Sequence, residues 1–462
     1  MESVNVSNKY NIPKIYKILI ANRGEIAVRI IRACRNMGIH SVAIYSKEDE
    51  KSLHVQLADQ KICIGEGPAN NSYLNIDRII SAALNVQADA IHPGFGFLSE
   101  NSTFVRKCQE NHIVFIGPTA DIIDKMGNKS QARKTMMEAG IPVVPGTKEP
   151  VYEAEKGREL ANDIGYPVMI KASSGGGGKG MRVAKSDAEF KQQFNLAQRE
   201  SVNAFGDDTM YMERFLENPR HVEIQIMADS WGHVVALGDR DCSVQRNHQK
   251  LIEESPSPAI SEEVRQQMNQ YAVLAAKTVG YTNAGTIEFI VAPDGSFYFM
   301  EMNTRIQVEH GVTEMVTGID LIIEQIRVAM GEPLSFTQEE VIPRGHAIEC
   351  RINAEIPEMN FMPSPGMVEH MHLPAGNGVR VDTGLYTGYC IPSEYDSMIA
   401  KVIVHAPDRD AAIRKMSSAL DEMLIMGVKT NLDFQFQIIH HPLFQQGKVD
   451  TGFIENLMTH KN

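Results

Sequence analysis

The stretch SSGGGGKG, Ser173 to Gly180, follows an apolar run, Tyr166 to Lys171 (YPVMIK), whose last residue is a lysine. Each glycine costs roughly 0.5–1 kcal/mol of ordering entropy relative to alanine, so the four in a row cost about 2–4 kcal/mol if the loop is held in one shape. What usually offsets such a cost is the close approach of bare backbone N–H groups to phosphate oxygens. A lysine at the end of the preceding strand adds a cation for the same anion. The run is not a Walker loop, which needs a GK followed by Ser or Thr and a helix. The plain alternative is a flexible hairpin linker.

A second group is Glu288 in GTIEFI and Glu301 with Asn303 in YFMEMNTR. Asp294-Gly295 between them signals a hairpin, which sets two acid-bearing strands side by side. Facing carboxylates repel unless a cation lies between them. Hard oxygen donors on adjacent strands suit Mg2+ shared with substrate phosphates. The alternative is a solvated strand face, but the neighbours of Glu301 are apolar and a buried carboxylate needs partners.

In RIQVEH, residues 305 to 310, Arg305 offers a planar fork for an oxyanion and Glu309 could serve as a general base. Taken alone, two such residues four apart read more simply as a salt bridge. In DCSVQRNHQKLIEESPSP, residues 241 to 258, Gln245, His248 and Lys250 gather polar and cationic groups, although without context the segment reads as an exposed loop. Cys242 reads as a packed structural thiol.

Elements that could position these residues are legible in the hydrophobic pattern. Lys17 to Ala21 (KILIA) predicts a buried strand. Glu25 to Met37 predicts a helix with Ile26, Ile30, Ala33 and Met37 on one face, closed by Gly38. Strand-like runs follow at Val42 to Tyr45, Lys61 to Ile64, Ala88 to Ile91 and Ile113 to Ile116, an alternation that implies a parallel α/β sheet. The turn NRGE, residues 22 to 25, is no dinucleotide fingerprint. Pro142, Pro145, Gly146 and Pro150 punctuate a linker, and strand-rich sequence follows at MYMERFL (210 to 216) and HVEIQIMAD (221 to 229). The stretch from Pro333 to Pro343 breaks the helical pattern and suggests passage into a third domain.

With 462 residues the chain is long enough for two or three domains, and its 43% hydrophobic and 22% charged residues are ordinary for a globular protein. A net charge of -13 argues against general affinity for nucleic acid. The cysteines, Cys34, Cys63, Cys108, Cys242, Cys350 and Cys390, form no CxxC pair, so neither a zinc nor a disulfide framework is expected, and a reducing cytosol fits. No apolar run approaches the roughly 18 residues of a membrane span. The opening MESVNVSNKYNIP lacks the apolar core of a signal peptide. The expectation is a cytoplasmic protein bound to neither membrane nor nucleic acid.

Beyond these readings, HPGFGFLSEN (92 to 101), KASSGGGGKGMRV (171 to 183), YMERFLENPRHVEIQ (211 to 225), RDCSVQRNHQK (240 to 250), EMNTRIQVEH (301 to 310) and ECRINAE (349 to 355) together resemble the biotin carboxylases. The resemblance runs from about Lys14 to about residue 455. It implies an ATP-grasp fold, α/β and α+β in class. Residues 1–13 would be a flexible extension and 14–128 an N-terminal α/β domain. Residues 129–335 would form the ATP-grasp domain, with a mobile lid over about 145–218, and 345–456 an α+β C-terminal domain.

The resemblance also implies roles. Lys129 and Lys171 would hold ATP phosphates, with Gly177 and Gly178 closing over them. Glu213, Arg214, Phe215 and Leu216 would meet the adenine edge, and His221, Gln245 and His248 the nucleotide, largely through its ribose. Glu288, Glu301 and Asn303 would hold Mg2+ or Mn2+, the two glutamates also serving ATP. Lys250, Arg305, Gln307 and Val308 would bind bicarbonate, Glu309 would deprotonate it, and Arg351 would stabilise the biotin enolate beside Phe95.

Some positions depart from the family pattern. Phe95 stands where Tyr is usual, which keeps the ring and loses a hydroxyl. Gly311 replaces the usual Pro and would loosen its loop. Of the positions that pair protomers in bacterial relatives, Arg32 and Arg380 are retained while Asn36 and Asn377 are not. A homodimer is expected.

The chain holds no biotin-attachment motif, so the reading is one subunit of a divided acetyl-CoA carboxylase. It would work with a biotin carboxyl carrier protein and carboxyltransferase subunits, in the first step of malonyl-CoA formation for fatty acid biosynthesis. The alternatives are the same half-reaction serving pyruvate or another acyl-CoA, a different ATP-grasp ligase such as a carboxylate–amine ligase, and an inactive ATP-binding regulator. Neither of the last two accounts for RIQVEH and ECRINAE or for the retained Lys250, Arg305, Glu309 and Arg351.

Overall fold

The computed structural model describes residues 14–172 and 181–459. They form two compact units. The larger comprises the described residues of Met1–Ile141, Arg220–Phe289 and Glu301–Asn462, the smaller those of Pro142–Pro219 and Ile290–Met300.

The larger unit begins with β1 (Lys17–Ile20), β2 (His40–Ser46), β3 (Gln60–Gly65), β4 (Ala90–His92) and β5 (Val114–Phe115). They lie in the order β3-β2-β1-β4-β5, parallel throughout, as the alternating pattern predicts. A parallel sheet is covered on both faces, so its central strands read as continuous apolar runs. Ile18, Leu19 and Ile20 are accordingly fully buried. The helix Gly24–Asn36 buries Ile26, Ala27, Ile30, Ile31 and Ala33, and it ends before Gly38, whose φ of +69° a residue without Cβ adopts at little cost.

In the smaller unit β6 (Val168–Ala172), β7 (Met181–Ala184) and β8 (Met210–Arg214) form an antiparallel sheet in the order β7-β6-β8. Its core contains Val168, Ile170, Phe190, Phe194, Met210 and Met212. Strand side chains alternate between faces. With Val168 and Ile170 inward, Lys171 takes the other face, and with Met210 and Met212 inward so does Glu213. Residues 173–180, where the glycine run falls, lie outside the described set.

The chain continues through β9 (Arg220–Ala228), β10 (Val234–Arg246), β11 (Gln249–Ser255), β12 (Asn283–Val291), β13 (Phe297–Asn303), β14 (His346–Asn353), β15 (Val379–Thr383) and β16 (Met398–Ala406), all in the larger unit except the hairpin residues Ile290–Met300. These make one sheet ordered β13-β12-β9-β10-β11-β14-β16-β15. The expected hairpin joins β12 to β13, with Gly295 at φ +85° and Asp294 Oδ1 accepting from Ser296 N at 2.9 Å. The strand after the Pro333–Pro343 stretch extends this sheet: Glu253 of β11 is register partner to Glu349 of β14. Among the described residues no helix is long and apolar enough to cross a membrane.

Candidate active site

The site is built where polar side chains interrupt otherwise apolar strands. On β9, His221, Glu223 and Gln225 alternate with Val222, Ile224 and Ile226, so the three polar groups share one face. β10 brings Arg240 and Cys242, β11 Lys250 and Glu253, β12 Glu288, and β14 Arg351. The segment after β13 carries Arg305, Gln307 and Glu309, and Glu309 begins the helix His310–Thr317.

These side chains form one connected set. Lys250 Nζ lies 2.6 Å from Glu309 Oε1, 2.6 Å from Glu223 Oε2 and 3.2 Å from Glu288 Oε1. Arg351 Nη2 donates to Glu309 Oε2 at 2.9 Å, and its Nε to Glu253 Oε1 at 2.6 Å. Arg240 is fully buried and donates to Glu223 Oε1 at 2.6 Å. Glu288 Oε1 also accepts from Asn303 Nδ2 at 2.8 Å and Gln307 Nε2 at 3.1 Å, while His221 Nε2 stands 3.2 Å from its other oxygen. Arg305 Nη1 donates to Gln307 Oε1 at 2.7 Å, Nη2 to Asn303 Oδ1 at 3.3 Å and Nε to Glu100 Oε2 at 2.9 Å.

Electrostatics follow from burial and these partners. Burial by itself would raise the Glu309 carboxyl, but Lys250, Arg351 and Arg240 hold it well below the usual carboxylate range. Glu288 is lowered against the same burial by Lys250 and His221. Burial would lower the Lys250 ammonium, yet Cys242, Glu223, Glu309 and Glu288 around it raise it well above its ordinary value. Glu223 and Glu253 are pushed up, burial outweighing their cations. Glu309 is thus an ionised acceptor gripped by two cations, with Lys250 shared among three acids.

Four buried carboxylates, Glu223, Glu253, Glu288 and Glu309, meet three cations, Lys250, Arg240 and Arg351. One ligand atom each from His221, Glu223 and Glu288 lies within 4.8 Å of the others.

Several expected site residues lie apart from this set. Glu301 is half-buried, with Lys129 Nζ 3.0 Å from its Oε2. In the smaller unit Lys171 Nζ pairs with Glu213, while Arg214 is exposed and Phe215 and Leu216 are half-buried. Gly177 and Gly178 lie outside the described residues. Gln245 is buried and donates to the Cys242 carbonyl at 3.3 Å, and His248 is exposed in the β10–β11 turn at φ +63°. Phe95 is half-buried against an apolar cluster that includes Ile26 and Ile306. Arg380 pairs with Glu314 at 2.6 Å and Asp382 at 2.7 Å, and the exposed Arg32 lies 4.0 Å from Asp382.

Three simple readings of the sequence give way. The Arg305–Glu309 salt bridge does not form, because Arg305 turns to Glu100 and Glu309 to Lys250 and Arg351. Residues 241–245 belong to a buried strand rather than an exposed loop, and Cys242 is fully buried with its thiol raised by that burial. Gly311 loosens no loop. It sits in the first turn of a buried helix, where a Cβ would run into Ile403 Cδ1 and come within 3.2 Å of Glu349 Oε2.

Glu100, Glu223, Arg240 and Glu253 escaped the sequence reading. A signal existed for Glu223 and also for Arg351: polar residues at two-residue spacing within apolar strand sequence, as in His221-x-Glu223-x-Gln225 and Glu349-x-Arg351. Glu100 carried none, since only folding brings it to residues 304 and 305.

Comparison with known proteins comes to the same place. Three family models match in succession: the biotin carboxylase N-terminal domain over residues 14–123, the ATP-binding domain of the carbamoyl-phosphate synthase L chain over 128–337, and the biotin carboxylase C-terminal domain over 349–456. The chain is 56% identical over 444 residues to a biotin carboxylase of Nostoc sp., spanning 96% of this chain and 99% of that protein. It superposes on the biotin carboxylase–beta-gamma-ATP complex from Campylobacter jejuni with a TM-score of 0.88 at 48% identity, covering 97% of this chain and 100% of that one. A third similar structure is the biotin carboxylase domain dimer of Hydrogenobacter thermophilus 2-oxoglutarate carboxylase in complex with MgADP, ADP and bicarbonate. Its TM-score is 0.87 at 46% identity, covering 97% of this chain and 99% of that chain.

Proposed function

The chain belongs to the biotin carboxylase family, an ATP-grasp family of ATP-dependent ligases, and from that premise we propose that it carboxylates biotin on a separate carrier protein, using bicarbonate and ATP through carboxyphosphate. The observation that carries the reading is the pair of cations on Glu309, Lys250 at 2.6 Å and Arg351 at 2.9 Å, with Arg305 linked to them through Gln307 and Glu288.

Bicarbonate is a poor nucleophile until it loses its proton, so a base beside a cationic clamp is needed. In the resting site Lys250 and Arg351 make Glu309 ionised but weakly basic. Bicarbonate bound by Lys250, Arg305, Gln307 and Val308 competes for the Lys250 ammonium. That competition relieves Glu309 and strengthens it as a base when its substrate arrives. The deprotonated oxygen attacks the γ-phosphorus of ATP, ADP leaves, and Glu309 keeps the proton. Carboxyphosphate then divides into CO2 and phosphate. The phosphate takes the ureido proton of biotin, Arg351 steadies the enolate beside Phe95, and the ring nitrogen captures CO2.

Lys129, Lys171, Gly177 and Gly178 are the phosphate-holding groups in this reading. Glu213 to Leu216, His221, Gln245 and His248 hold the rest of the nucleotide. Mg2+ held by Glu288, Glu301 and Asn303 would neutralise charge on the phosphates. The domain plan that goes with this is an N-terminal domain over 14–128, an ATP-grasp domain over 129–335 with its lid at about 145–218, and a C-terminal domain over 345–456.

We further infer a cytoplasmic homodimer that works with a biotin carboxyl carrier protein and a carboxyltransferase, with acetyl-CoA as final acceptor. The likeness to a 2-oxoglutarate carboxylase domain makes an oxo-acid carboxylase the second reading. The acceptor never touches this site, so copurification of the carboxyltransferase separates the two. The test of the activity itself is ATP cleavage that requires bicarbonate and rises with free biotin, followed by transfer of labelled bicarbonate to candidate carriers. Cleavage indifferent to bicarbonate would sink the reading.

A further inference from the structure

Lys401 lies on β16, beneath the segment that carries Glu309. Its side chain is fully buried, and its Nζ donates to the carbonyl of Val308 at 2.5 Å. That carbonyl belongs to the peptide joining Val308 to Glu309. The ammonium stands 3.3 Å from Glu25 Oε1 of the helix Gly24–Asn36 and 4.0 Å from Asp382 Oδ2 of β15. Across the antiparallel β14–β16 pair Lys401 is the register partner of Arg351, so the two side chains leave the sheet on the same face. One rung of the sheet therefore holds Glu309 twice: Arg351 by the carboxylate, at 2.9 Å, and Lys401 by the backbone that carries it.

An ammonium is a costly way to fill a dry interior, and an apolar side chain of similar volume would often leave a protein at least as stable. What the lysine supplies and an apolar residue does not is a fixed orientation for the Val308–Glu309 peptide. We propose that Lys401 is a positioning residue for the reaction, its ammonium setting that peptide so that Glu309 and Val308 meet bicarbonate in the productive geometry. The inference rests on the biotin carboxylase reading above. Burial would lower the Lys401 pKa, but Glu25, Glu349 and Asp382 raise it against the opposing Arg380, so the ammonium stays charged. Glu349, register partner of Glu253, is buried without a hydrogen bond to either oxygen, and burial raises its carboxyl well above the ordinary range. Neither Glu349 oxygen takes the Lys401 ammonium, whose hydrogen bond goes to the Val308 carbonyl.

The test compares the wild-type chain with Lys401→Met and with the charge-balanced double variant Lys401→Met/Glu25→Gln, in steady-state ATP cleavage with bicarbonate or MgATP varied. A purely structural loss lowers the active fraction and leaves both KM values unchanged. Loss of positioning raises KM for bicarbonate about tenfold, roughly the worth of one charge-assisted hydrogen bond. It also lowers kcat on the order of 10²-fold, as a shift of about 1 Å at the reacting group does. KM for MgATP stays as in wild type. The double variant removes the nearest carboxylate, Glu25 at 3.3 Å, together with the ammonium it faces, so it recovers thermal stability while the bicarbonate KM stays high. A wild-type bicarbonate KM in Lys401→Met, its recovery together with stability in the double variant, or a double variant that does not fold would each overturn the inference. ATP cleavage by the wild-type chain that ignores bicarbonate overturns the biotin carboxylase reading itself. Bicarbonate dependence that Lys401→Met leaves intact overturns only the role of Lys401.

Discussion

Lys250 Nζ sits 2.6 Å from Glu309 Oε1, in a buried contact between the proposed general base and a cation proposed to bind its substrate. The contact makes Glu309→Gln an informative variant. The amide keeps the shape and can still hydrogen-bond to Arg351, but it accepts no proton. Bicarbonate-dependent ATP cleavage is expected to fall about 10²–10⁴-fold, while nucleotide affinity measured by calorimetry is unchanged. Full activity in this variant would mean that another group is the base.

Arg351 serves two acids, Glu253 at 2.6 Å and Glu309 at 2.9 Å. Arg351→Gln should therefore act on both stability and turnover. Removing one partner from a buried pair costs about 3–5 kcal/mol, to be read from denaturant unfolding. Biotin-dependent turnover should drop about 10²–10³-fold, as when an oxyanion donor is removed, and by more than cleavage without biotin. Equal losses with and without biotin would argue against a role at the enolate.

The convergence of His221, Glu223 and Glu288 ligand atoms within 4.8 Å predicts a dependence on divalent cation. Chelation should abolish ATP cleavage and excess Mg2+ restore it. Glu288→Gln should raise the Mg2+ concentration for half-maximal rate by about tenfold, or roughly 1.4 kcal/mol. An unchanged Mg2+ requirement in that variant would remove Glu288 from the proposed donors.

Acid should weaken the fold through three buried histidines, above the range in which the lowered carboxyls Asp49 and Glu314 take up protons. Burial pushes His54 down to about 4, and His92 and His310 down to about 3. The unfolded chain takes up protons at these histidines near pH 6.5, whereas the folded chain does not. Their lowered values thus contribute stability that is complete above about pH 6.5 and is lost as the pH falls toward 4 and then 3. The slope is about 1.4 kcal/mol per pH unit for each histidine. Unfolding free energies measured from about pH 7 to 5 should decline accordingly, and His54→Gln should flatten the decline. A level profile would show that the histidines do not carry it.

Much of this molecule is legible before it folds. Period and punctuation in KILIA, in Glu25 to Met37 and in the runs that follow specify a parallel sheet and its first helix, because apolar spacing records which faces are buried. Asp294-Gly295 announces the hairpin that carries Glu288, and RIQVEH and ECRINAE hold four of the groups in the connected set, Arg305, Gln307, Glu309 and Arg351. Chain order says nothing, however, about which charges become partners. Arg305 and Glu309 are four residues apart and do not pair, while Arg305 meets Glu100 across 205 positions and Lys401 meets Val308 across 93. Ionic partners in a dry interior are selected by the register of strands distant in sequence and by the need to compensate each buried charge. Those conditions arise only once the sheet has assembled.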